Sequence, residues 1–224
     1  MGRFARIGGT AGIVAGLAFL LRIYFVQAVS AEGFALLNNP ARAFPILREQ
    51  QLMWSLAGLT SLIGFVAGAL FVLGMYHHVR AQSTEGAHLL LFFGVAGFGI
   101  YALWAVIFWR APLFLLTIED QGMAAQALLT VRAVTVTMSE FALAFVALFE
   151  LVTGWLIIRT KALSPVLGWV AIAAAIFRQD FIEFLPVVTD NWLTATVGAL
   201  WFVLAGLQLR GAERPAMAAP GGVS

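Results

Sequence analysis

The chain has 224 residues, 62% of them hydrophobic and only 11% charged, with a formal net charge of +2. A mean hydropathy of +0.94 excludes an ordinary soluble domain, whose outside must be polar, and assigns the chain to a bilayer. The lack of cysteine excludes disulfides and thiolate chemistry, and without a basic run the small positive charge leaves no footprint for nucleic acid.

Six apolar segments follow in chain order. A helix needs roughly 20 apolar residues to cross the hydrocarbon core, and spans are expected at Ile7–Gln27, Leu52–Tyr76, His88–Trp109, Ala133–Ile158, Ala162–Leu185 and Trp192–Leu209. All must be helical, because unpaired peptide groups in lipid cost several kcal/mol each. The first span carries Gly8, Gly12 and Gly16 at four-residue spacing, which suits a permanent helix packed closely on a neighbour. Arg3, Arg6 and the small residues Val29-Ser30-Ala31 also permit a second reading, a cleavable signal peptide. After it, Asn38-Asn39-Pro40 signals a turn, and Ala43–Gln51 can start the second helix early. The outer loop 110–132 holds the apolar stretch Pro112–Ile118, which suits a short interfacial or re-entrant piece, then a helix-compatible run from Gln121. The Pro-, Ala- and Gly-rich residues 215–224 read as a disordered tail. The expected fold class is all-α: a polytopic transmembrane bundle of six spans in one domain, 1–214.

Lysine and arginine set the orientation. With the N-terminus in the cytoplasm, seven lie inside: Arg3, Arg6, Arg80, Arg159, Lys161, Arg210 and Arg214. Five lie outside: Arg42, Arg48, Arg110, Arg132 and Arg178. Both termini are therefore expected in the cytoplasm. Twelve arginines against one lysine suggest a GC-rich prokaryotic genome, hence a bacterial inner membrane.

Charges inside the spans are the candidate site. A midplane acid or arginine costs from about 2.5 kcal/mol upward, so it should face a partner or water. Arg22 lies about 7.5 Å below the outer end of its span, and Glu140 about 10 Å below the outer end of the fourth. These similar depths predict an Arg22–Glu140 pair, as structural glue or as a functional couple. Glu150 sits about 15 Å deeper than Glu140 and about 80° around the helix, so it needs separate neighbours: hydroxyls such as Thr10, or Arg and His side chains reaching up from the inner boundary. It is either a hydrogen-bonded structural acid or a proton- or ligand-handling one. The fifth span ends in Arg178-Gln-Asp180 and then Glu183. Asp180 and Glu183 share a helix side and can bind a cation, split a proton, or simply be a solvated end. Together Arg22, Glu140, Arg178, Asp180 and Glu183 bring polar groups of three spans to the outer leaflet. His77, His78 and His88 read as interfacial residues, not metal or haem ligands. No metal-binding, phosphate-binding or nucleophile motif is present in the sequence, and no cofactor follows from it.

Gly154-Trp-Leu-Ile-Ile-Arg159 and Leu163-Ser-Pro165-Val-Leu-Gly168-Trp, with Leu73-Gly-Met-Tyr76, Arg80, Leu200-Trp201 and Gly206, carry a resemblance. The chain resembles a family of small six-span bacterial membrane proteins catalogued as a domain of unknown function. That resemblance implies the fold and no chemistry. It departs at Ala195, where the family often carries an acid. Two functions are expected to compete. One is a ligand-binding bundle or accessory subunit, partnered by lipid and by other membrane subunits or a second copy through glycine-rich faces. The other is an intramembrane enzyme or proton-coupled transporter working on an apolar substrate through its acids.

Overall fold

The computed structural model describes residues 2–29, 33–178 and 191–212. Its regular elements are α1 (Gly2–Val29), the 3-10 turn η1 (Gly33–Asn38), α2 (Pro40–Glu49), α3 (Gln51–Val79), α4 (Thr84–Leu115), α5 (Gln121–Thr160), α6 (Pro165–Arg178) and α7 (Asn191–Gly211). Among the described residues every regular element is helical. Four helices, α1, α3, α4 and α5, are long and apolar enough to cross a membrane, while α6 and α7 contribute shorter apolar helices. Leu17, Leu59, Phe92, Leu103, Phe141, Trp169 and Leu204 stand exposed on the outside, as a surface meeting acyl chains requires.

Each long helix packs on its sequence neighbour, and α7 returns to α1, so six helices close a ring in the order α1, α3, α4, α5, α6, α7. Their directions alternate. At one end the Phe4 and His77 rings stack at 4.3 Å, His78 Nε2 lies 3.1 Å from the Ala162 carbonyl, and the Ser164 amide donates to Gln208 Oε1 at 2.8 Å. At the other end Trp54 Nε1 donates to the Trp109 carbonyl at 3.0 Å.

Small residues let the ring close. A Cβ on Gly8 would run into the Gly74 backbone of α3, and one on Gly9 would lie 2.6 Å from the Gly206 carbonyl of α7. Gly12 rests on Phe71, and Gly16 on Ala199 and Val203. The four-residue glycine spacing therefore serves two neighbours at once, and α1 is wedged between them. The same device joins α5 to α6, where Gly154 and Gly168 each abut the other's carbonyl. These are the glycines of the resemblance. Between them Lys161 takes a left-handed conformation (φ 54°) that ends α5, and Pro165 opens α6 at a position where a missing N–H is harmless. Inside the ring Phe71, Phe98, Phe149, Trp201 and Phe202 meet edge to face, with centroids 5.1 to 6.4 Å apart.

The loops differ from expectation in two places. Asn39 does mark a turn, but its side chain caps a separate helix with Pro40 at its start. The break at Gln50 keeps α2 distinct from α3. No re-entrant piece forms at Pro112–Ile118: Pro112 lies inside the last turn of α4, and five residues suffice to reach α5. The run from Gln121 is helical as read, and α5 extends over 40 residues, about 60 Å. That is twice the roughly 30 Å hydrocarbon thickness, so its first turns project beyond it. There Arg132 Nε donates to Asn38 Oδ1 of η1 at 3.1 Å. The fifth span's continuation, 179–185, and the tail from 215 lie outside the described residues.

Substitution at the α1 crossing tests the wedge. Gly74→Val must push α1 away and should lower stability by about 1–3 kcal/mol, read as thermal unfolding in detergent. Gly99, whose Cβ would meet nothing within 4 Å, should accept alanine with a gain of up to about 1 kcal/mol.

Candidate functional site

Arg22 and Glu140 do not pair. In the closed ring the helix bearing Arg22 neighbours α3 and α7, whereas α5 lies across the ring from it. Equal depth therefore does not bring the two side chains together. The guanidinium of Arg22 lies 5.7 Å from the Phe65 ring and 5.6 Å from the Trp104 ring. A weakly hydrated planar cation over electron-rich ring faces is stabilised there by about 0.5–2 kcal/mol, more as water is excluded. Phe65 also stacks on Tyr101, with centroids 4.7 Å apart. Glu140 points to the outside of α5 and is exposed.

Glu150 faces the opposite way. Its side chain is fully buried, on the same α5 face as buried Val146, Thr153 and Ile157. The expected separation of Glu140 and Glu150 onto different faces is what the helix displays. Thr10 is not its hydroxyl neighbour: Thr10 is exposed and donates to its own helix at Arg6. One turn along α5 from Glu150, the Thr153 hydroxyl is completely buried and has no hydrogen-bond partner among the described residues. An unsatisfied buried hydroxyl costs on the order of 1–3 kcal/mol. Other buried hydroxyls avoid that cost: Thr60, Ser61 and Thr135 each donate to a carbonyl of the preceding turn.

Arg178 ends α6, the neighbour of α5; its side chain, with Asp180 and Glu183, lies outside the described residues. The three histidines cluster at one end of the bundle. His77 stacks on Phe4, His78 meets the α5–α6 connection, and His88 Nε2 lies 3.4 Å from the Tyr76 hydroxyl. Among the described residues no three His, Asp or Glu side chains converge on a common point.

A feature missed in the sequence lies on the outward side between α3 and α4. A crevice of about 210 Å³ runs between Ser55, Gly58 and Leu62 of α3 and Ala105, Val106 and Arg110 of α4. At its edge Gly58 makes room for Trp109, whose side chain a Cβ there would meet at 2.7 Å. Apart from Ser55 and Arg110 the crevice walls are apolar, and no acid among the described residues lines it. The sequence marks Arg110 only as an orientation anchor, because helix rotation, which decides whether it borders a crevice, cannot be read from spacing.

Compared with family models, curated proteins and solved structures, the chain matches none.

Double-mutant cycles separate the two accounts of Arg22. Arg22→Met with Trp104→Leu should show a coupling of about 0.5–2 kcal/mol, while Arg22→Met with Glu140→Gln should be additive within about 0.5 kcal/mol. Equilibrium unfolding in mixed micelles reads both.

Proposed function

We propose that this chain is a six-span protein of a bacterial inner membrane, with both termini in the cytoplasm, that works as a ligand-binding bundle. The crevice between α3 and α4 carries this reading: it is an apolar concavity with a cation and a hydroxyl among its lining residues, the combination by which a small site orients a ligand. The filled interior supports it too, since aromatic side chains occupy the space that a passage for substrate needs. The resemblance to six-span proteins of unknown function agrees with the ring and with the Gly154–Gly168 crossing. The orientation rests on the lysine and arginine excess at the end bearing the N-terminus.

Accessory association with other membrane subunits belongs to the same proposal. Gly8, Gly12, Gly64, Gly68, Gly94 and Gly97 face side chains or backbone of this chain's own helices. A partner would therefore meet the outer apolar surface, where Gly99 of α4 has open space.

A second reading, a proton-coupled transporter or intramembrane enzyme, is favoured by one observation. Glu150 is wholly enclosed, one turn from the unsatisfied Thr153 hydroxyl, and buried acids in spans recur in proton relays.

Reporter fusions after Ala81 and after Lys161 should both report cytoplasm; a periplasmic signal from both inverts the orientation. Mild purification followed by lipid and small-molecule mass spectrometry should find a retained ligand, and a bare chain counts against the ligand-binding reading. Glu150→Gln keeps a hydrogen-bonding amide, so it should retain assembly and ligand content at a cost of about 1 kcal/mol. Loss of ligand, or of a proton-dependent flux in vesicles, with folding intact would favour the second reading.

A further inference from the structure

Arg110 and Ser55 both present exposed polar groups to the same crevice. Arg110 is exposed and makes no hydrogen bond, ion pair or ring contact among the described residues. Among other cations near helix ends, Arg80 lies over Tyr76, Arg132 donates to Asn38 and Arg159 lies over Trp155, while Arg48 and Arg210 are exposed and, among the described residues, unengaged like Arg110. Of these three, Arg110 is the one that borders a crevice. Ser55 likewise leaves its hydroxyl unused, whereas Thr60 and Ser61 on the same helix bond back to its carbonyls. Both residues line the α3–α4 crevice, at the end of the bundle where Trp54 and Trp109 are joined. Tryptophan gathers where hydrocarbon gives way to headgroups. Helix rise places Leu59 and Leu62 one and two turns below Ser55, and Val106 one turn below Arg110.

Resting on the ligand-binding reading, we propose that the crevice holds one anionic phospholipid of the surrounding bilayer. Its phosphate is bound by Arg110 and Ser55, and one acyl chain runs down the groove past Gly58, Leu59, Leu62 and Val106. The guanidinium fork matches two phosphate oxygens and the serine hydroxyl donates to a third. The apolar walls take the chain. Charge selects among lipids: a zwitterionic headgroup brings an ammonium that needs an acid, and none among the described residues lines the crevice. An anionic lipid brings no such unmatched cation. In the proposed orientation the lipid belongs to the outer leaflet.

Native mass spectrometry of the full chain, equilibrated with mixed micelles of equal phosphatidylglycerol and phosphatidylcholine, tests this. One phosphatidylglycerol per chain should be retained with at least about tenfold preference. Arg110→Gln should abolish the preference and Arg110→Lys keep most of it, so the site remains testable if the glutamine variant folds poorly. Val106→Trp, which fills the groove from its exposed side without altering charge, should reduce retention of the lipid. Millimolar inorganic phosphate should not displace it. Equal retention of the two lipids, an unchanged preference in Arg110→Gln, or displacement by phosphate alone overturns the proposal, the last by assigning a free-anion site. If the preference is absent while the wild-type chain still carries another co-purified molecule, this inference fails and the ligand-binding reading stands. A chain that holds nothing fails both.

Discussion

Backbone-to-backbone approach at α1 is the constraint on which the bundle depends. Within lipid, apolar side chains gain little by leaving acyl tails for one another, so helices associate through close fit. Glycine on two flanks of one helix provides that fit: Gly8 against Gly74 on α3, Gly9 and Gly12 against Gly206 on α7. Any larger residue at these crossings widens a ring whose interior is already filled by Phe71, Trp201 and Phe202. Gly154 and Gly168 perform the same task between α5 and α6, which gives a physical meaning to the glycines of their two short motifs.

Ring order then decides what the charged groups meet. Because α1 and α5 are separated by α3 and α4 on one side and by α7 and α6 on the other, two charges of similar depth face different surroundings. Arg22 finds ring faces on α3 and α4. Glu140 meets the outside, and Glu150 the interior. The chemistry open to each residue follows from azimuth more than from depth.

That distinction also separates what was legible in the sequence from what was not. The four long apolar helices, the Asn39–Pro40 helix start, the helical run from Gln121 and the close packing of the Gly8–Gly16 helix all follow from local pattern, and the structure has them. Glu140 and Glu150 were separable because helical phase within one segment is fixed at 100° per residue. The Arg22–Glu140 pair failed because it joined two segments whose relative placement depends on which helices are neighbours, a long-range outcome of glycine and aromatic fit. The crevice was hidden for the same reason. Whether Ser55 and Arg110 look at a neighbouring helix, at lipid or at a groove depends on helix rotation, and the loop expected from residue 110 begins inside a helix that runs on to Leu115.

The closure of α1 on α7 has a consequence in time. A membrane chain is threaded into the bilayer from its N-terminus, so α3, α4, α5 and α6 are all made before the surface that Gly9 and Gly16 await exists. Until α7 follows, the flank of α1 that it covers lacks that neighbour. Closure of the ring therefore waits for α7 to dock on α1, across a long stretch of chain. During synthesis in a crowded membrane the same flank is open to the α7 of an adjacent chain, which makes exchange of this helix between copies the misassembly to which the architecture is most exposed.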